Sequence, residues 1–159
     1  MQTMMALIAD AASPVAIIGG AGWNAKAREH FQLFAERLGL PVATAFRRQD
    51  AISPSSRVYA GNLGYGPNPK LVERVKNADL VLAVGARLGE ATTDGYTVPP
   101  LEAEDRTLIH IHPDPEEIGS VYPADLAICA SMDEFAESAA LSANSSISAQ
   151  IARSVGYTR

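Results

Sequence analysis

The chain has 159 residues, 47% of them hydrophobic and 19% charged, which is enough for one domain with its own core. With 13 Lys and Arg against 18 Asp and Glu, the formal net charge of −5 opposes binding to nucleic acids and anionic lipids. The single cysteine, Cys129, excludes an internal disulfide or a CxxC pair and fits a reducing, cytoplasmic setting. No apolar run approaches the roughly 20 residues of a membrane span, and the N-terminus lacks the basic region of a secretory signal.

In the first half of the chain, segments whose apolar residues recur every three or four positions alternate with short, continuous apolar runs. These patterns predict a helix at Thr3–Ala12 capped by Thr3, a buried strand at Val15–Ile18, a helix at Lys26–Leu38 ended by Gly39, and a short strand at Pro41–Phe46. The following segment, Arg47–Pro69, is rich in Ser, Pro, Gly and Asn and holds one brief strand candidate at Arg57–Ala60. A long irregular stretch of this kind is usually functional or part of an interface.

The second half continues the alternation. It predicts a helix from Asn68 and Pro69 to Lys76, strands at Leu80–Val84, Thr107–His112 and Leu126–Ala130, one helical turn at Pro115–Ile118, and a helix at Ser131–Leu141 with Ser131 and Glu134 as a capping box. Residues 142–159 lose apolar density, so we assign residues 1–141 to the domain and 142–159 to a linker or tail.

Solid apolar strands that alternate with helices indicate a mainly parallel sheet with helices on both faces. The predicted fold class is therefore α/β, doubly wound and Rossmann-like. In such sheets, ligands bind beyond the carboxyl ends of the strands, where the strand order reverses. The loops after Ile18, Val84 and Ile111 are the places where we expect a site.

One glycine motif stands directly between a predicted strand and a predicted helix. Residues 20–25, Gly-Ala-Gly-Trp-Asn-Ala, fit the pattern G-x-G-x-x-A, in which backbone N–H groups approach a pyrophosphate at the helix N-terminus. The same glycines could serve only to make a close strand-to-helix turn. Where a dinucleotide site usually has an acidic residue, the second strand ends in Arg47 and Arg48, which favours the 2′-phosphate of an NADP-type ligand.

Other polar residues at the predicted strand ends have two interpretations each. Arg87 follows the strand that ends at Gly85 and either binds a phosphate or pairs with Glu90. His110 and His112 alternate on a strand and with Asp114 form a candidate metal cluster, although Pro113 disturbs its geometry and polar strand-end residues are the favoured interpretation.

Cys129 lies in a predicted buried strand, and we interpret it as a small core residue. The sequence contains no G-x-S-x-G, HExxH or P-loop pattern, so we assign no catalytic or metal-binding residue.

Taken in order, four segments resemble the central domain of thiamine-diphosphate-dependent enzymes of the acetolactate synthase type. They are Pro14–Gly22, Leu38–Val42, Ala78–Leu88 and Ile109–Gly119, and the resemblance extends from about Met4 to Leu141. It implies a parent enzyme that decarboxylates a 2-keto acid and joins the product to an acceptor, with thiamine diphosphate and Mg²⁺ held by an N-terminal and a C-terminal domain. This chain has neither of those domains and no Gly-Asp-Gly motif, so we expect it to be inactive alone.

The resemblance also implies a nucleotide, FAD or an ADP-type ligand, in this domain. The positions that match nucleotide-contacting segments are Gly20, Gly22, Gly61, Gly64, Gly85, Arg87 and Asp114. Two departures affect this site. His112-Pro113-Asp114 replaces an acidic-Ile-acidic stretch, and Gly89-Glu90-Ala91 stands where the synthases have an acidic pair and a further arginine.

Two further hypotheses remain open. The chain could be a free-standing NADP-type nucleotide-binding module, favoured by Arg47 and Arg48, or a purely structural piece. The family resemblance also implies that the partners are the missing catalytic domains of the same polypeptide, within a homo-oligomer.

Overall fold

The computed structural model describes residues 1–101 and 105–144 of the chain. Its strands are β1 (Pro14–Ile18), β2 (Val42–Thr44), β3 (Tyr59–Asn62), β4 (Leu80–Val84), β5 (Thr107–His112) and β6 (Leu126–Cys129). Its α-helices are α1 (Gln2–Asp10), α2 (Ala25–Leu38), α3 (Pro69–Lys76) and α4 (Met132–Ser142). Within these described ranges the strands form one sheet in the order β3-β2-β1-β4-β5-β6, and every pairing is parallel.

The central strands β1 and β4 are buried along their whole lengths. They pair in register, with Ala16 opposite Leu82 and Ile18 opposite Val84. Their sequences, Pro-Val-Ala-Ile-Ile and Leu-Val-Leu-Ala-Val, lack the alternation of a strand with one wet face, because both faces are covered. The predicted doubly wound α/β fold is confirmed.

Helices cover the two faces unequally. On one face α1, α2 and α4 bury a core that includes Met4, Phe31, Phe34 and Phe135 against the sheet. On the other face α3 packs together with the segment after β4 and with Tyr122. Both cores include side chains of β1 and β4, so the central strands are covered on both faces.

Helix ends follow local capping chemistry. Asn24 Oδ1 accepts a hydrogen bond from Ala27 N at 2.8 Å at the start of α2, and Gly39 ends that helix in the left-handed conformation. At α4, Ser131 and Glu134 form the predicted capping box. The predicted Thr3 cap is wrong, because α1 begins at Gln2 after Met1 and has no side-chain cap.

A carboxylate that the sequence analysis did not single out joins the first helix to the sheet. Asp79, just before β4, accepts hydrogen bonds from Ala12 N at 2.6 Å and Ser13 N at 2.8 Å. These amides follow α1 and lead into β1, and a carboxylate makes stronger hydrogen bonds than a neutral acceptor. The contact fixes how β1 enters the sheet beside β4.

Three predicted elements differ in the structure. The brief strand is β3, placed at Tyr59–Asn62, and Pro115–Ile118 forms consecutive turns in place of one helical turn. The last strand is only half buried: Leu126 and Ile128 pack against the core, whereas Ala127 and Cys129 are exposed because they lie on the opposite face of β6. The prediction that Cys129 is a core residue is therefore wrong.

The C-terminal part of the chain is described only as far as Asn144. Helix α4 extends to Ser142, and the rest of the predicted tail, residues 145–159, lies outside the described residues. In the part of the chain that the structure describes, no helix is long and apolar enough to cross a membrane.

Candidate functional site

The carboxyl ends of the parallel strands meet along one edge of the sheet. The chain runs from β1 outward to β2 and β3 on one side, and from β4 outward to β5 and β6 on the other. The order therefore reverses between β1 and β4, which is where ligands bind in sheets of this type. The loops after β1 and β4 border this point, as predicted.

The turns after β1 and β4 are in direct backbone contact. Gly20 has a φ of +73°, and a Cβ on it would lie 1.9 Å from the carbonyl oxygen of Gly85. Gly85 has a φ of +68°, and its Cβ would lie 2.5 Å from the carbonyl oxygen of Gly19. Packing of the two turns alone thus requires glycine at positions 20 and 85.

Gly22 is in a different situation. Its φ is +84°, but the nearest atom to a Cβ there would be Met132 Cγ at 3.7 Å, an ordinary van der Waals contact. The Trp23 side chain packs beneath the turn and donates from its ring nitrogen to Gly19 O at 2.7 Å. A glycine at position 22 leaves the backbone open just before the N-terminus of α2, where a phosphate would approach.

Gly61 and Gly64 lie close against the side chains of Leu71 and Phe46. A Cβ on Gly61 would lie 3.1 Å from Leu71 Cδ2, and one on Gly64 would lie 2.8 Å from Phe46 Cδ2. Both residues also have positive φ angles, +127° and +130°. They shape the end of β3 through packing.

Arg87 forms an ion pair with Glu117, which lies on the loop after β5. Its Nε lies 3.2 Å from Glu117 Oε1, and the Arg87 side chain is 70% exposed. The predicted pairing with Glu90 is therefore wrong, since the loop after β5 supplies the carboxylate. An exposed pair of this kind contributes about 0–1 kcal/mol, so an anionic ligand could displace Glu117 at little cost.

His110 connects the loops after β4 and β5. Its side chain is buried, with Nε2 2.9 Å from Ala86 O, while Gly119 N donates to Nδ1 at 3.2 Å. These partners place the single ring proton on Nε2 and keep the ring neutral. Burial lowers the pKa of His110, and the hydrogen bond to Ala86 offsets part of that effect.

The side chains of His112 and Asp114 accept hydrogen bonds from backbone N–H groups of the loop that follows β5. Asp114 N donates to His112 Nδ1 at 3.1 Å, and Asp114 Oδ1 accepts from Glu116 N at 3.0 Å. The described residues contain no group of three His, Cys, Asp or Glu side chains that could hold a metal ion. The favoured interpretation, polar residues at a strand end, agrees with this geometry.

The two arginines after β2 have different surroundings. Arg48 makes hydrogen bonds to Asp50 through Nε at 3.0 Å and Nη2 at 3.3 Å, and Asp50 also accepts from Arg28. Arg47 is exposed, has a φ of +61°, and places its guanidinium carbon 5.2 Å from the centroid of the Phe46 ring. The structure thus does not bring the two together as one phosphate clamp.

A family model described as the central domain of thiamine pyrophosphate enzymes matches residues 1–139. The chain belongs to this family. The predicted resemblance is confirmed, and the parallel sheet with helices on both faces agrees with it.

Individual relatives carry two different names. The chain is 30% identical over 129 residues to the acetolactate synthase large subunit of Corynebacterium glutamicum, covering 80% of this chain and 20% of that protein. It is 34% identical over 128 residues to the sulfoacetaldehyde acetyltransferase of Rhodobacter capsulatus, covering 79% and 21%. The corresponding enzyme of Alcaligenes xylosoxydans is 37% identical over 89 residues, covering 56% and 15%. The chain thus spans 15 to 21% of the length of these three relatives.

Alanine substitutions at Gly20 and Gly22 of this thiamine pyrophosphate enzyme domain test which of the two glycines the packing of the turns requires. Gly22→Ala should lower the free energy of unfolding by about 1–2 kcal/mol, the cost of a side chain in the left-handed conformation. Gly20→Ala should cost clearly more, because its Cβ also meets the Gly85 carbonyl. Urea denaturation measures both.

Gly95→Ala is the matched control, since Gly95 has a φ of +65° and no atom lies within 4 Å of its Cβ position. It should behave like Gly22→Ala. Equal losses for Gly20→Ala and Gly95→Ala would contradict the backbone contact between the two turns.

The buried neutral His110 predicts acid sensitivity. Its pKa lies below the ordinary value of 6.5 in the folded state, so below that pH the unfolded chain binds a proton that the folded chain does not. The free energy of unfolding should therefore fall as the pH drops from 6.5 toward the folded-state pKa. His110→Gln should be less stable at pH 7.5 but should lose less stability on acidification, as measured by urea denaturation across pH. Parallel pH profiles for the two proteins would contradict this role.

Proposed function

We propose that this chain is the central domain of an enzyme of the acetolactate synthase type, which decarboxylates a 2-keto acid and joins the remaining fragment to an acceptor carbonyl. The observation that carries the proposal is the family match over residues 1–139. Thiamine diphosphate, with Mg²⁺, would be bound by domains outside this chain and would supply the electron sink for decarboxylation.

The role proposed for this chain within the parent is architectural. The histidines at the strand ends serve the fold: His110 bridges two loops, and His112 accepts from its own loop. The chain would link the catalytic domains and contribute to packing in a cytoplasmic homo-oligomer. By itself it would be inactive.

A second candidate reaction is acetyl transfer. It is favoured by the 34% identity over 128 residues to a sulfoacetaldehyde acetyltransferase, which covers as much of this chain as the match to the acetolactate synthase does. The two candidates differ in the substrate, and the residues that select it would lie mostly outside this chain.

Assays of the full-length protein that contains this chain distinguish the two reactions. With thiamine diphosphate and Mg²⁺, we expect acetolactate to form from a 2-keto acid; consumption of sulfoacetaldehyde without acetolactate formation would support the second candidate. The 159-residue chain is the control and should show neither activity. The proposal would be overturned if the regions that flank this chain in the gene encoded neither an activating glutamate upstream nor a Gly-Asp-Gly motif downstream.

We also propose that the turn at Gly20–Gly22 holds the diphosphate of a nucleotide, FAD or an ADP-type ligand. Three features support the fit: the open backbone at Gly22, the N-terminus of the 14-residue helix α2, and the exposed cation of Arg87. Gly61, Gly64 and Gly85 would contribute shape. Asp114 is exposed and could accept from a ribose hydroxyl through its other oxygen. An NADP-type ligand remains the alternative, with Arg47 as its phosphate partner.

Fluorescence of Trp23, the chain's one tryptophan, provides the test because this residue lies in the turn itself. Titration with FAD or ADP should change its emission, and Gly22→Val should weaken binding at least tenfold by filling the phosphate position. Gly95→Val, in an open part of another loop, is the matched control and should bind normally. Tight binding of NADPH without binding of FAD or ADP would contradict the proposal and favour the free-standing module. Absence of binding by all three would favour a purely structural domain.

A further inference from the structure

The segment that follows β5, residues 113–120, lies on the surface of the domain. None of these residues, all of which the structure describes, is buried. Two polar contacts hold the second half of the segment to its surroundings: Gly119 N donates to His110 Nδ1 at 3.2 Å, and Glu117 Oε1 lies 3.2 Å from Arg87 Nε. Segments with few buried side chains belong to the least stable part of a fold. The attachment of this segment therefore depends on these two contacts.

The acceptor of the Gly119 hydrogen bond is a buried side chain that titrates. His110 is 2% exposed, and its Nε2 lies 2.9 Å from Ala86 O on the loop after β4. Because a carbonyl oxygen can only accept, the single ring proton lies on Nε2, and Nδ1 accepts from Gly119 N. A second proton would occupy Nδ1 and would place two N–H donors against each other. The Gly119 contact therefore exists only while His110 is neutral.

Charged and titratable groups reach His110 from its own strand and from both adjoining loops. His112 lies on the same strand with its ring centroid 6.2 Å away, and Glu117 on the loop after β5 is paired with Arg87 on the loop after β4. Its partners across the sheet, on β4 and β6, are alanines. Burial lowers the pKa of His110, the hydrogen bond to the loop after β4 raises it, His112 lowers it and Glu117 raises it. Burial has the largest effect, so the neutral ring is favoured.

The neighbouring histidine differs in how it responds to a proton. His112 Nδ1 lies 3.1 Å from Asp114 N and 3.2 Å from Asp114 O. The neutral ring accepts from the amide, and a protonated ring would donate to the carbonyl, so both forms have a partner in the same turn. Within the described residues, His110 Nδ1 is hydrogen-bonded to the Gly119 amide alone. Protonation therefore removes a contact at His110 and exchanges one contact for another at His112.

We infer that His110 is a pH-sensitive switch whose protonation releases residues 113–120 from the edge of the sheet while the domain stays folded. Loss of the Gly119 contact frees the end of the segment. The remaining ion pair is too weak to hold it, because the Arg87 side chain is 70% exposed to solvent. This local opening is distinct from the loss of global stability on acidification, and it does not depend on whether a nucleotide binds to the domain.

Amide hydrogen exchange of the 159-residue chain, measured by NMR between pH 7.5 and 5 and corrected for the intrinsic exchange rate, tests the switch. Protection of the Gly119 amide should fall by up to about tenfold per pH unit below 6.5, until the pH reaches the folded-state pKa of His110. Low concentrations of urea should leave it unchanged, because a local opening exposes little surface. Ala16 N, which donates to Pro41 O inside the sheet, is the control for global unfolding, and its exchange should rise with urea. If Gly119 exchange rises with urea as steeply as Ala16 exchange, the segment does not open separately and the inference is wrong.

Three substitutions assign the response to one histidine. His110→Gln keeps a donor and an acceptor but does not titrate, so its Gly119 protection should not vary with pH. His112→Gln is the matched control and should keep the pH dependence of the wild type. Glu117→Gln removes the carboxylate that favours the protonated ring, so its response should move to lower pH. Loss of the pH dependence in His112→Gln, or a shift to higher pH in Glu117→Gln, would contradict the assignment.

The ring of His110 in the unsubstituted chain gives a test that does not depend on whether a variant folds. The midpoint of its NMR titration should lie below 6.5 and should coincide with the pH at which the fall in Gly119 protection levels off. A midpoint at or above 6.5 would show that the folded state does not favour the neutral ring, and the switch would then be ruled out.

Discussion

The sheet depends on the close backbone contact between the turns after β1 and β4. These strands are the central pair and are buried on both faces, so their positions determine those of the outer strands. Their turns meet where Gly20 lies against the carbonyl of Gly85, with no room for a side chain. Because the strand order reverses at this point, the contact also sets how the loops on the two sides of the sheet face each other.

Because of this contact, a glycine of the motif can be required either by packing of the turns or by the approach of a ligand, and the sequence alone does not distinguish the two. Gly20 and Gly22 match the same pattern, yet the first is required by contact with a neighbouring turn, whereas a Cβ on the second would make only an ordinary van der Waals contact with Met132. A motif match therefore does not distinguish a glycine that folding requires from one that is available to a ligand. The distinction depends on a strand about 60 residues away in the chain, which a local pattern does not include.

The parts of the fold that were predictable are those with a local physical cause. β1 and β4 are solid apolar runs, α2 ends at a glycine in the left-handed conformation, and Ser131 with Glu134 caps α4. The exposure of β6 was not predictable, because its composition resembles that of a buried strand. Burial of a strand depends on whether both of its faces are covered, and that coverage is a property of the whole fold.

The same limit applies to the site. The candidate location at the ends of β1 and β4 is a prediction from the alternation of strands and helices, but the partner of Arg87 was not predictable, because Glu117 is brought near only when β4 and β5 pair. The bridge that His110 makes has the same origin. The exposure of Tyr65 had no sequence signal beyond an aromatic residue in a glycine-rich loop, since exposure is a tertiary property.

The exposed position of Cys129 makes the molecule convenient to label. As the one thiol of the chain, at the outer strand of the sheet, it would accept a single maleimide dye without disturbing the core. Trp23 lies beneath the central turn, so energy transfer between the indole and that dye would report the separation between the middle of the sheet and its β6 edge. Trp23 and Cys129 thus provide a fluorescence donor and a labelling site for distance measurements within the sheet.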